Sequence, residues 1–135
     1  VSWKGKHHFL AMTHKFTTGA PHFIETGHME PAPISQEQLE QVKKVVFHAL
    51  DSLEITYGAS HTELKIAKDG TIALIEIGGR MGGDFIGSNL VQLSTGIDFV
   101  KAVIDISLGE EPDLELGDHA AAGLDLYLIR KMLIY

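Results

Sequence analysis

HTELKIAKDGTIALIEIGGRMGGD, residues 61–84, sets Glu63 and Glu76 on either side of an Asp-Gly pair, then runs into a loop of four glycines and one arginine. Residues 57–67 and 71–78 read as two strands joined at Asp69-Gly70, a strong two-residue hairpin signal. With Asp69 and Gly70 as the central turn residues, Lys68 faces Thr71. Stepping back along both strands then places Glu63 directly opposite Glu76. Opposed residues hold their Cβ atoms about 4.5–5.5 Å apart, and like charges at that spacing repel unless something positive lies between them. His61 and Lys65 share the glutamate face; Thr62, Leu64, Ile66, Ala73, Ile75 and Ile77 form the other, expected to face the core. Paired carboxylates on rigid strands suit a hard divalent cation, which prefers carboxylate oxygens, waters and phosphates. The competing reading is a solvated sheet face with Glu63 paired to a lysine. A slip of one residue in register would part the two glutamates.

GGRMGGD, residues 78–84, follows the second strand at once. Glycines let backbone N–H groups close around an anion, and arginine binds phosphate or carboxylate bidentately. The stretch is neither G-x-x-x-x-G-K-[ST] nor G-x-G-x-x-G. On its own it also fits a plain turn between a strand and a helix.

Further out, Ser35 and Gln38 form a capping box at the start of a helix. Leu39, Val42, Val45, Val46, Ala49 and Leu50 recur at helical spacing, and the helix is expected to end near Ser52. Residues 85–93 read as a short helix. STGIDFVKAVIDISLG reads as a longer one, with Ser94 or Thr95 near its cap and Gly109 after its end. Residues 1–15 read as a strand pair or one bent strand with Lys4-Gly5-Lys6 as its turn, and 16–33 as a long loop. The segment from Ala120 onward reads as a final strand. Strands, helix, hairpin, helix and strand in that order predict an α+β fold: an antiparallel sheet with helices packed on one side. A hairpin this tight leaves no room for a parallel crossover.

The length suits one domain. Hydrophobic residues make up 44% of the chain, enough for a core. With 18 acidic residues against 11 basic and a net charge of -7, a nucleic-acid module or an anionic-membrane dock is disfavoured. The absence of cysteine removes disulfides, thiolate zinc sites and a cysteine nucleophile. Eight histidines are many for this length, but their spacing matches no compact zinc motif. No apolar run approaches the roughly 18 residues of a membrane span. A cytoplasmic protein is expected. The chain opens on Val1 as though a strand were already under way and closes on an apolar run, so a fragment of a longer protein is expected.

GASHTELKIAKDGTIALIEIGGRMGGDFI, together with HFLAMTHKFTTGAPHFIETGHMEPAPIS upstream, resembles the carboxy-terminal part of the ATP-grasp superfamily. These are ATP-dependent carboxylate–amine or thiol ligases and relatives such as biotin carboxylase. The amino-acid and dipeptide ligase branch carries a similar H-T-E, then E-I-N-x-R-x-G-G-D. The resemblance implies that the chain is the C-terminal half of an ATP-grasp fold, without the lysine-bearing ATP subdomain and the amino-terminal domain. It implies Mg²⁺, or Mn²⁺, held by Glu63 and Glu76 against the phosphates of ATP, with Arg80 stabilising the transferring phosphoryl group. It makes His28 a candidate substrate contact, and Asp84 either the cap of the next helix or a reader of the substrate's amine. The implied substrates are ATP, a small carboxylate and an amine. The family usually has Asn where this chain has Gly78, which leaves one metal short of a side-chain ligand. That departure opens a second reading, a non-catalytic or regulatory nucleotide-binding domain.

Overall fold

The computed structural model describes residues 1–126 of the 135. Every strand pair in it is antiparallel, and with few helices the fold is α+β. The ladder is divided into three: β1 (Ser2–Trp3) with β2 (Lys6–His7), β3 (His14–Thr17) with β4 (Glu25–Glu30) and β7 (Ala122–Asp125), and β5 (His61–Ile66) with β6 (Ile72–Gly78). The turn between β1 and β2 is Lys4-Gly5, both at positive φ, as a two-residue hairpin requires. The first strand is tied to the segment before β5 by the pair Ser2 N to Gly58 O (2.8 Å) and Gly58 N to Ser2 O (3.0 Å).

Helix α1 (Gln36–Ser52) begins on the expected capping box: Ser35 Oγ accepts from Gln38 N, and the Gln38 side chain accepts from Ser35 N. It buries Val42 and Leu50. A wide, π-type turn (Ile86–Leu90) runs straight into α2 (Val91–Thr95), which ends two residues beyond the expected short helix. Helix α3 (Phe99–Leu108) ends at Gly109 as expected. Its cap is Asp98, whose carboxylate accepts from Lys101 N at 2.8 Å, and neither Ser94 nor Thr95 fills that role. Those two hydroxyls belong to the end of α2, because the chain breaks at Gly96 in the left-handed region. Val1, Trp3, Ala59, Val91, Phe99 and Ile106 make one buried cluster against which Met81 packs. The core thus backs directly onto the glycine loop.

One expectation about the strands is corrected. Residues 16–33 are not simply a loop: they contain β4, the middle strand of its ladder. ETGHME has no hydrophobic alternation to announce a strand. Gly27 lets β7 come close, since a Cβ there would lie 2.8 Å from Leu124 O. At its far end the fully buried Glu30 accepts hydrogen bonds from Thr13 Oγ1 and from Ser94 Oγ (2.7 Å), tying β4 to α2. Of the expected final strand, Ala122–Asp125 is observed, and residues 127–135 lie outside the described residues.

Gly96 gives a stability test. Its φ is +77°, and an added Cβ would meet the backbone of Gly117 at 2.5 Å. Gly109 has a similar φ, +80°, with open space around it. Gly109→Ala is expected to lose about 1 kcal/mol from the left-handed backbone alone. Gly96→Ala should lose about 2–3 kcal/mol, the excess coming from the forced separation of two backbones. Denaturant midpoints of the two variants measure the difference.

Candidate functional site

The β5–β6 hairpin places Glu63 opposite Glu76, as its sequence implies, but by a different local route. The turn is a three-residue loop. Gly70 N donates to Ala67 O (2.9 Å), Gly70 sits at φ +86°, and Ala67 N donates to Thr71 O (2.8 Å). That shifts the pairing near the turn, so Leu64 faces Leu74 and Lys65 faces Ala73. A bulge at Ile75 inserts one residue and restores the register at Glu63–Glu76. The expected core face is corrected accordingly. Ile72, Leu74 and Ile77 are partly buried, while Ala73 is exposed and Ile75 is 58% exposed.

The repulsion between the opposed carboxylates is relieved from both sides. Lys15 on β3 reaches across, its Nζ donating to Glu63 Oε1 at 2.8 Å and to Glu25 Oε1 at 2.7 Å. Arg80 Nη2 stands 4.0 Å from Glu76 Oε1, and Nη1 donates to Met81 O at 3.0 Å. The Lys15 hydrogen bond holds the Glu63 carboxyl below its usual range. Partial burial works against the Lys15 ammonium, but its two carboxylate partners outweigh it and raise its pKa. His61, with Nε2 3.9 Å from Glu63 Oε1, is held below the ordinary histidine value by burial.

A second cluster lies beside the first. His28 is 1% exposed, and neither ring nitrogen has a hydrogen-bond partner among the described residues. Its Nε2 lies 3.5 Å from Glu25 Oε2 and 3.8 Å from Asp84 Oδ2. One ligand atom from each of Glu25, His28 and Asp84 falls within 4.8 Å of the others. Asp84 does not cap the next helix: Phe85 holds the cap position without a side-chain hydrogen bond. The Asp84 backbone sits at φ 48°, and its carboxylate points to His28 instead.

Lys15 and Glu25 carry no motif, and sequence reasoning missed both. On a regular strand Glu25 and His28, three apart, would point to opposite faces. A register shift between Phe16 and Thr17 leaves Thr26 as the extra residue, which returns Glu25 to the His28 face.

Residues of both clusters, Glu25 and Asp84 from one and Lys15, His61, Glu63 and Arg80 from the other, line one cleft of about 480 Å³; Glu76 and His28 lie outside that lining. A larger cavity of about 680 Å³, more apolar, runs on from it toward α1. The charged cleft is the candidate site, since that is where ionisable groups converge. Gly82 is required there, because a Cβ would lie 2.9 Å from His61 Nδ1 and 3.1 Å from Ile86 Cβ. At Gly78 a Cβ would make only ordinary contact, 3.5 Å from Arg80 Cγ. The donor type fits a hard divalent cation: Glu63 and Glu76 are carboxylates paired across the hairpin, and Glu63 lines a cleft open to water and phosphate oxygens.

Comparison with known proteins bears on this site. The family model described as "ATP-grasp domain" matches residues 1–88. An L-amino acid ligase from Bacillus licheniformis superposes with a TM-score of 0.81 at 31% identity, over 96% of this chain and 32% of its own. An alanine–anticapsin ligase of Bacillus subtilis is 28% identical over 96 residues, 70% of this chain and 20% of its own. The phosphoribosylglycinamide synthetase of Anaerococcus prevotii shares the fold, with a TM-score of 0.74 at 24% identity over 82% of this chain and 28% of its own. The chain thus spans about a fifth of the length of the curated relatives it matches.

Proposed function

The chain belongs to the ATP-grasp domain family, and on that premise we propose that it supplies the metal–phosphate part of the active site of an ATP-dependent carboxylate–amine ligase. The observation that carries this reading is the opposed pair Glu63 and Glu76, with Arg80 and its glycines at the exit of the same hairpin. Glu63 and Glu76 would hold Mg²⁺ or Mn²⁺. A divalent ion so bound neutralises charge on phosphate oxygens during phosphoryl transfer.

The chain's own residues do the rest. Arg80 turns an exposed guanidinium into the cleft, where it can pair with a phosphoryl oxygen. His61 packs over Gly82 and so sets the path of the glycine loop against the metal strand. Glu25, His28 and Asp84 offer three acceptors at one point, a match for the three donors of an ammonium group. In this reading they seat the amine substrate, or the α-ammonium of an amino acid, with its charge offset by two carboxylates. The substrate carboxylate attacks the γ-phosphate of ATP, and the amine then displaces phosphate. No enzyme nucleophile is needed. Catalysis comes from positioning and charge stabilisation.

Gly78 favours one rival, a regulatory nucleotide-binding domain without turnover, because it gives the second metal no side-chain oxygen. Phosphate release by the intact protein, with ATP and a panel of amino acids and other carboxylates and amines, separates the two. The ligase reading expects release that requires both a carboxylate and an amine. Tight nucleotide binding without such release would leave the regulatory reading.

A further inference from the structure

Lys15 is the residue that the proposed reaction does not use and the geometry does not explain away. It sits in β3, paired across the ladder with His28. Its ammonium leaves that ladder and reaches the β5–β6 hairpin, with Glu25 Oε1 at 2.7 Å and Glu63 Oε1 at 2.8 Å. Among the described residues this is the one ion pair that joins those two ladders. The contact is at the Glu63 carboxylate, which faces Glu76 and would otherwise repel it. On Glu25, Lys15 takes one oxygen and leaves the other toward His28.

We propose that Lys15 is a resident counter-ion, which holds Glu63 in the metal-free protein and surrenders it when a divalent cation binds there, keeping Glu25 alone. This rests on Glu63 being a metal ligand. One carboxylate cannot give its full charge to an ammonium and a divalent ion together, so the two compete. The pair with Lys15 therefore weakens metal binding while keeping the empty hairpin from repelling itself. Both partners are partly exposed, with side chains 28% and 38% accessible, so the competition is modest.

The test is Mn²⁺ affinity of the intact protein, read by electron paramagnetic resonance of free Mn²⁺ and needing no turnover. Lys15→Met is expected to tighten Mn²⁺ binding about threefold. Lys15→Arg keeps the charge and should not tighten it. Glu63→Gln should weaken it. The thermal midpoint supplies an independent sign: Lys15→Met should lower it more in chelator than at saturating Mg²⁺. Should Lys15→Met not fold, Lys15→Gln, which retains a donor for Glu25, takes its place with the same expected direction. Unchanged or weaker Mn²⁺ binding in Lys15→Met or its stand-in Lys15→Gln, alongside weakened binding in Glu63→Gln, overturns the counter-ion role and leaves the metal site standing. No effect of Glu63→Gln removes the metal site and the counter-ion role with it.

Discussion

Arg80→Met is expected to lower kcat of the intact protein by about 10²–10³-fold while leaving its stability within about 0.5 kcal/mol. The stability half follows from the contacts. The Arg80 side chain is 61% exposed, and its partners are the carbonyl of the next residue and Glu76 at the 4.0 Å limit of an ion pair. Among the described residues it makes no other hydrogen bond or ion pair. The rate half follows from where it stands, at the end of the strand that carries Glu76 and inside the charged cleft. In the proposed reaction, a guanidinium placed there would act on charge that develops during phosphoryl transfer and add little to ground-state binding. The KM for ATP should therefore move less than kcat. Arg80→Lys restores the charge without the planar fork and should recover only part of the rate. Steady-state kinetics and a denaturant melt on the same preparations check both halves. A kcat within twofold of the parent would remove Arg80 from the reaction.

Glu63→Gln and Glu76→Gln should each lower activity by a comparable 10²–10³-fold at fixed Mg²⁺, an order-of-magnitude figure for loss of one electrostatic anchor. Raising Mg²⁺ or supplying Mn²⁺ should recover part of it, because the amide keeps one oxygen ligand. Their losses should not add, since two ligands of one ion act as a unit. The two variants should differ in stability. Glu76→Gln removes a like charge from an opposed pair and is expected to leave the metal-free protein unchanged or slightly more stable. Glu63→Gln strands Lys15 with a single carboxylate and is expected to destabilise. The Lys15 hydrogen bond depresses the Glu63 pKa in the folded state below its ordinary value of 4.5. Its stabilisation is therefore present above that value and is lost as pH falls through the lowered one. Melts from neutral pH downward in chelator should show the difference between parent and Glu63→Gln constant above about pH 5 and closing only below it.

The parts of this structure legible in sequence are those decided by a few adjacent residues. Ser35 and Gln38 announce the start of α1 because a capping box closes within one turn. Gly109 announces the end of α3 for the same reason. Cap assignment failed at Asp98, where three polar residues stood within five positions and the break at Gly96 decided among them. The opposition of Glu63 and Glu76 was legible, yet two deviations had to cancel for it. The loop is three residues where Asp-Gly suggested two, and Ile75 bulges to compensate. The alternation of the face failed at that bulge, at Ala73 and Ile75. Lys15 and Glu25 were not legible at all. One depends on a bulge at Thr26 and the other on contact between ladders, and neither leaves a trace in spacing.

Which carboxylate cluster takes the metal is the most direct measurement of all. In the assigned amide spectrum of the intact protein, substoichiometric Mn²⁺ with an ATP analogue that cannot be hydrolysed broadens the signals nearest the ion. The expected result is broadening centred on Glu63, Glu76, His61 and Gly78, absent in the Glu63→Gln, Glu76→Gln double variant. Broadening centred on His28 and Asp84, or none in the β5–β6 hairpin, would contradict it.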